Sequence, residues 1–278
     1  MSTRTPDPAV QSDTELEAAS PPDSSRPLIE FRNVTFSIPA ADGGMRAVLD
    51  DVSFGIERGT ISCLIGTSGS GKTTLLRLMA GLIKPDDGEV LIEGQNIVSL
   101  SERELNAVRR DMGFVFQYSA LFDSMDVGAN VGFGLERQKR KRSEIDQIVQ
   151  GLLRDVGLEG IERKLPSQLS GGMKKRVAMA RALATSPKIV LYDEPDSGLD
   201  PVMTRIIDDL ITNLRDTKQT TNVVVTHNVG SVKRIADQVF MLHNARIVAQ
   251  GSYAEVAASE SPVVQQFLNG RAQGPLSL

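Results

Sequence analysis

The chain has 278 residues, with 31 Lys and Arg against 35 Asp and Glu, a net charge of −4. This weakly acidic balance lacks the basic footprint of a general nucleic-acid binder, and 4% aromatic residues with no Trp offer no stacking platform for single strands. One cysteine, Cys63, rules out a disulfide framework within the chain, and no apolar run reaches the ~18 residues needed to cross a bilayer.

Residues 1–27 carry five acids (Asp7, Asp13, Glu15, Glu17, Asp23) against Arg4 and Arg26, and almost no large apolar side chains. That composition predicts a disordered acidic tail. It also lacks the apolar stretch of a signal peptide, so a cytoplasmic chain that reaches membranes by docking is expected. Ile29, Phe31, Val34, Phe36 and Ile38 lie among polar residues and predict strand. Asp42-Gly43-Gly44 reads as a turn, and Ala47 to Ile56 as a second strand. The run Ile61-Ser62-Cys63-Leu64-Ile65 suits a strand buried on both faces of a parallel sheet. Cys63 within it reads as a small core residue. After a Gly-rich loop, Leu75, Leu78, Met79 and Leu82 predict a helix over Thr74–Leu82. The stretch from Ser101 to Leu165 reads as mostly helical, with Ile145, Ile148, Leu152 and Val156 on one stripe. The basic run Arg137, Lys139, Arg140, Lys141, Arg142 reads as a solvated charged segment. Beyond Ser170 the pattern alternates: a helix to Ala184, a strand at Ile189–Tyr192, a helix from Pro201 and a strand at Val223–Val225. Alternation of this kind predicts an α/β fold with helices packed around a parallel sheet. The helical stretch, about 101–165, would interrupt that sheet as a subdomain.

The loop after the Ile61 strand reads Gly66-Thr67-Ser68-Gly69-Ser70-Gly71-Lys72-Thr73, followed by Thr74. It fits the G-x-x-x-x-G-K-[ST] pattern in its required setting, strand before and helix after. A triphosphate is dense in negative charge and must be held closely. Glycines let backbone N–H groups wrap it without side-chain clashes, and the following helix adds its unpaired N–H groups. Lys72 would reach the β- and γ-phosphates, and the Thr73 hydroxyl would take one Mg²⁺ position. Average composition gives about 0.01 chance matches to this pattern in a chain of this length.

Mg²⁺ needs a carboxylate, and hydrolysis needs a base for water. Asp193 and Glu194 stand at the end of an apolar strand, where ligands of open α/β sheets bind. Asp193 would hold Mg²⁺ and Glu194 would polarise the attacking water.

Between the phosphate loop and this strand lies Leu169-Ser170-Gly171-Gly172. Gln117 precedes it. Ser197-Gly198-Leu199-Asp200 follows Glu194, and His227 follows the Val223 strand. In this order, over residues 28–251, the chain resembles the ATP-binding cassette family. The resemblance implies a P-loop NTPase with a RecA-like core, an antiparallel β subdomain and the inserted helical subdomain, with 252–278 as a C-terminal extension. It implies ATP and Mg²⁺ as ligands and a head-to-tail homodimer of cassettes. One subunit's phosphate loop would face the other's Ser170, Gly171 and Gly172 across the nucleotide. His227 would contact the γ-phosphate, Gln117 would sense Mg²⁺ and water, and Asp200 would stitch the two sites. His243 has no motif around it and reads as a surface histidine. The family's usual adenine-stacking aromatic falls at Ile38 here, with Phe36 two residues earlier. Asp196 stands where relatives often carry Thr.

Three local features resemble the ATPases of Mce/Mla-type lipid transport systems. These are Met173-Lys174-Lys175-Arg176 after the signature, Tyr118 to Val127 after Gln117, and the tail Val264 to Pro275. They imply a peripheral subunit on the cytoplasmic face of the inner membrane. It would energise phospholipid transport through an integral-membrane permease with an Mce-domain partner, and no nucleic acid. A polar-solute importer, for instance of an amino acid, is the alternative. Leu121, Phe122 and Met125 read as a docking patch for a permease helix. The tail reads either as a contact between cassettes or as a helix lying on its own domain.

Overall fold

The structure is a computed structural model and describes residues 26–40 and 43–276. The acidic tail up to residue 25, and Asp42 of the expected turn, lie outside the described residues.

Strands β1 (Ile29–Pro39) and β2 (Met45–Ile56) pair antiparallel. Next comes β3 (Ile61–Ile65), five buried residues in a row. Strands β4 (Asp87–Ile92) and β5 (Gln95–Asn96) complete a four-stranded antiparallel sheet in the order β2-β1-β4-β5. The remaining strands are β6 (Met112–Val115), β7 (Ile189–Asp193), β8 (Thr221–Val225), β9 (Gln238–His243) and β10 (Arg246–Gly251). With β3 they form a second sheet in the order β10-β9-β3-β8-β7-β6. Its pairings are parallel except the edge strand β10.

Successive strand residues point to opposite faces, and the two faces of this sheet feed two cores. Leu64, Leu191 and Val223 pack with the antiparallel sheet and helix α1 (Lys72–Met79). Ile61, Cys63, Ile65, Val190, Tyr192 and Val224 pack against helices on the other side. Those helices include α3 (Val127–Arg137), α4 (Arg142–Asp155), α5 (Gly171–Leu183) and α6 (Pro201–Lys218). Burial on both faces explains the unbroken apolar runs of β3, β7 and β8. Burial also pushes the Cys63 thiol well above its ordinary range, so it stays protonated and inert.

Several elements differ from the sequence reading. Helix α1 starts two residues before Thr74 because the phosphate loop runs straight into it, and it ends at Met79. Leu82 lies past that end, beyond Gly81 at φ +61°, and is exposed. The stretch read as mostly helical holds α2 (Glu102–Arg109), but also β6 of the main sheet. Four residues carry too little periodicity to mark a strand. Gly113 within it is fixed by packing: a Cβ there would sit 2.5 Å from the Ala182 carbonyl of α5. On α4, Ile145 and Leu152 are buried as expected, with Val156 buried just past its end and Ile148 partly buried. The basic run is exposed, and Arg140 and Arg142 pair with Glu144, Glu136 and Asp146. Such exposed pairs contribute about 0–1 kcal/mol each.

Helices α7 (Val229–Ile235), α8 (Tyr253–Ala257) and α9 (Pro262–Asn269) close the chain. Val256 and Val264 are buried in the helical core, so α8 and α9 lie on their own domain.

Candidate active site

Two glycines dictate the path of the phosphate loop. Gly66 sits at φ +144°, and a Cβ on it would meet the Leu242 carbonyl at 2.2 Å. Gly71 sits at φ +105°, and a Cβ on it would lie 2.8 Å from the Val48 carbonyl. Only glycine tolerates both the backbone angle and the close approach. Gly71 is also the residue before α1, so that helix begins without a side-chain cap. Its first N–H groups are left for a ligand.

Lys72 is 6% exposed. Its ammonium turns into the loop, donating to the Gly66 carbonyl at 2.9 Å and the Thr67 carbonyl at 2.8 Å. Burial pushes its pKa below the ordinary Lys range, and the Glu194 and Asp193 carboxylates push it back up. Asp193, at the end of β7, is raised above the ordinary carboxylate range by burial, against a hydrogen bond from Thr73. Thr73 Oγ1 donates to Asp193 Oδ1 at 3.0 Å. Each group thus bears a desolvation cost that a polyphosphate with its cation would relieve.

Glu194 follows Asp193 in a left-handed turn at φ +47°. Its N–H donates to the Val225 carbonyl of β8 at 2.9 Å. Gln117, two residues past β6, donates from Nε2 to Glu194 Oε2 at 2.9 Å. On the other side, His227 Nδ1 lies 3.4 Å from Glu194 Oε1. The ends of β6, β7 and β8 therefore bring Gln117, Asp193, Glu194 and His227 together beside Thr73. Ser68, Gly69, Gly71, Lys72, Thr73, Thr74 and Glu194 line one hollow with Phe36, Ile38, Arg46 and Val48. Thr67, Ser68, Gly69 and Ser70 line a second hollow beside it. His243 is half-buried and lines this second hollow, so it is not a plain surface residue as its lack of a motif suggested.

The signature segment is not part of this cluster. Ser170 caps α5, its hydroxyl accepting from Met173 N–H at 3.3 Å. Ser170 and Gly171 are exposed, and Gly172 is buried against Met203 of α6. None of residues 170–172 lines the hollows over the phosphate loop. Asp200 is engaged locally: its Oδ1 accepts from Val202 and Met203 N–H at 2.9 Å each and caps α6.

The contacts of Asp196, Lys175, Asn130 and Arg181 emerge only in three dimensions. Asp196 is 8% exposed, and its two oxygens accept from Thr226 Oγ1 at 3.1 and 3.0 Å. Thr226 precedes His227, and its Oγ1 accepts in turn from Asn228 N–H at 3.0 Å. The carboxylate thereby ties the segment after Glu194 to the segment that carries His227. Lys175 of α5 adds a third strut, donating to the Glu194 carbonyl at 3.2 Å. Near Gln117, the buried Asn130 side chain donates to the Phe122, Met125 and Asp126 carbonyls at 3.0–3.1 Å. Arg181 holds the Ser119 and Ala120 carbonyls. These bonds set the loop around Phe122. There Leu121 packs on the helical core, while Phe122, Phe116 and Tyr118 are exposed.

Residues 49–197 match the family model described as ABC transporter. The chain is 41% identical over 250 residues to the intermembrane phospholipid transport system ATP-binding protein MlaF of Escherichia coli, covering 90% of this chain and 91% of that one. It is 43% identical over 267 residues to the chloroplastic protein trigalactosyldiacylglycerol 3 of Arabidopsis thaliana, covering 90% and 75%. A probable ribonucleotide transport ATP-binding protein, mkl of Mycobacterium leprae, is 42% identical over 251 residues, covering 90% and 71%. Among solved structures, the dimeric ATP-binding cassette MJ0796 in a post-hydrolysis state with ADP and Pi superposes with a TM-score of 0.75 at 32% identity. That match covers 81% of this chain and 98% of the other. The chain belongs to the ABC transporter family, as an ATP-binding subunit of the P-loop NTPase fold that couples ATP hydrolysis to transport.

Proposed function

We propose that two copies of this chain hydrolyse ATP between them and drive phospholipid movement through a separate integral-membrane permease. The observation that carries the chemistry is Glu194 held between Gln117 and His227 beside the phosphate loop.

In this reading the triphosphate oxygens replace the Gly66 and Thr67 carbonyls as acceptors for Lys72, and backbone N–H groups of residues 67–74 wrap them. Thr73, Asp193 and Gln117 would hold Mg²⁺. The fit rests on the donor set: a hydroxyl and a carboxylate oxygen stand 3.0 Å apart, both hard oxygen donors. No cluster of three His, Cys, Asp or Glu side chains occurs among the described residues. Phosphate and water oxygens would complete the shell, as is usual for Mg²⁺. When bound, the ion supplies charge neutralisation on the β- and γ-phosphates. Glu194 takes a proton from water as the water attacks the γ-phosphorus. The bond to the β-phosphate oxygen breaks, and ADP leaves. His227 stabilises charge on the γ-phosphate and keeps the Glu194 carboxylate oriented.

Ser170, Gly171 and Gly172 are directed to the nucleotide of a second copy. The exposure of Ser170 and Gly171 at the α5 N-terminus suits a γ-phosphate approaching from outside. The exposed backbone around Asp200 is placed at the same seam. The lipid cargo is supported by the likeness to MlaF, whose name gives intermembrane phospholipid transport, and to a protein named for trigalactosyldiacylglycerol. No helix among the described residues is long and apolar enough to cross a membrane. The cytoplasmic membrane face is therefore reached through the permease, with an Mce-domain protein as the lipid-binding partner. A gentle detergent extraction tests this: the chain should co-purify with a multi-spanning permease, an Mce-domain protein and enriched phospholipid. Co-purification with a permease and a solute-binding protein would overturn the lipid assignment.

The permease is placed at the loop around Phe122. Its ring is exposed, packs against Phe133 at 4.7 Å with the two planes tilted by 45°, and lies 5.8 Å from the Arg181 guanidinium. The Asn130 bonds hold this loop in one shape beside Gln117, which touches the catalytic carboxylate. Phe122→Asp should abolish lipid transport and permease-stimulated ATPase, while nucleotide affinity stays within about twofold. Transport at the wild-type rate in that variant would remove Phe122 from the interface.

A further inference from the structure

The nucleotide site has a phosphate end and a catalytic end, and the rest of the hollow must take the nucleoside. It measures about 420 Å³, within the range of small-molecule sites. Away from Lys72, Thr73 and Glu194, its wall includes Phe36, Ile38, Val48, Ile83, Arg46 and Arg77, the last within electrostatic reach of Asp193 at the phosphate end. Only one of these is aromatic. Phe36 is partly buried and packs on the core shared by α1 and the antiparallel sheet.

Arg46 differs from its neighbours. The β1–β2 register sets it directly opposite Ile38, and opposed residues of an antiparallel pair project from one face. It is exposed, and its guanidinium has no hydrogen-bond or ion-pair partner among the described residues. Asp50, the acid that lines the second hollow, is taken by Arg246 at 2.6 Å. Arg46 and Val48 also line the second hollow, of about 440 Å³, on the other side of Ser68 and Gly69. Whichever hollow receives the base, the same guanidinium faces it.

A guanidinium is planar and weakly hydrated, and it stacks on aromatic faces better than an ammonium does. We propose that Arg46 is the base-binding residue of this ATPase, its guanidinium stacking on the purine over the aliphatic floor of Ile38 and Val48. This rests on the assignment of the phosphate loop as the nucleotide site. It makes the base contact cationic and apolar, with selectivity for an aromatic ring rather than for phosphate.

Titration calorimetry of the full chain with MgADP and with inorganic tripolyphosphate tests it, because neither ligand is consumed. Arg46→Ala should weaken ADP about three- to thirtyfold, the range of a cation–π contact, and leave tripolyphosphate unchanged. Arg46→Tyr should restore ADP binding, and Arg46→Lys should not. Equal losses for both ligands would mean that the cation acts on phosphate and would overturn the proposal. Full rescue by Lys, or no loss of ADP in Arg46→Ala, would overturn it as well. Failure of the wild-type chain to bind ADP would instead remove the nucleotide-site assignment beneath it. Arg46 is exposed on a strand end, so these variants should fold, and equal thermal unfolding temperatures check that they do.

Discussion

Glu194→Gln should bind ATP like the wild type and turn it over about 10²–10⁴-fold more slowly, the span lost with a general base. The substitution changes little else. Glutamine has the same length, and its side-chain oxygen can still accept from Gln117 Nε2, the bond now 2.9 Å long. The backbone bond from residue 194 to Val225 is untouched. The left-handed turn at φ +47° is no harder for Gln than for Glu. What disappears is a carboxylate that can take a proton. Phosphate release measured beside nucleotide binding separates the two. Unchanged turnover would remove Glu194 from its role.

Lys72→Met should produce the opposite pattern. A charge-assisted hydrogen bond is worth about 1.5–3 kcal/mol, so nucleotide affinity should fall roughly ten- to 150-fold. The folded protein should not suffer in proportion. Burial already pushes the Lys72 ammonium below its ordinary pKa, which marks a charge held against its solvation preference. Methionine fills the same volume without that cost, so the thermal unfolding temperature should not drop. A large loss of stability with intact binding would show that Lys72 holds the empty loop together and does not grip phosphate. The pairing of lost function with kept stability is the mark of a ligand site.

The two predictions concern residues that were visible in the sequence for a chemical reason. Wrapping a polyphosphate takes consecutive backbone N–H groups, so the phosphate loop is contiguous. Asp193 and Glu194 are adjacent because one strand end presents both. Strands β3, β7 and β8 were visible because burial on both faces leaves an unbroken apolar run. Edge and short strands gave no such signal. Strand β6 has four residues and a glycine, and β10 alternates between exposed and half-buried positions.

Residues that act through a distant partner were hidden. Asp196 has no meaning in sequence, because Thr226 lies 30 residues away. The fold turns it into a tie between the strand ends that carry Glu194 and His227. Asn130 reads as an ordinary polar residue of a helix. Its side chain is fully buried and shapes the loop around Phe122. Arg46 depends on strand register, which no local pattern specified. Asp200 shows the converse. Its motif was legible, yet the carboxylate spends one oxygen on capping its own helix.

The central claim is that one chain holds half a site and a second copy completes it. The two hollows over the phosphate loop are not lined by the Ser170 segment of the same chain, and in this account ATP acts as the bridge between copies. Sedimentation of the full-length Glu194→Gln variant, with and without MgATP, measures this directly, because the bound nucleotide is not consumed. A species of twice the 30.1 kDa chain mass that forms only with ATP, and is lost on adding Ser170→Arg, is the predicted result. A monomer at every concentration that binds ATP would contradict the account.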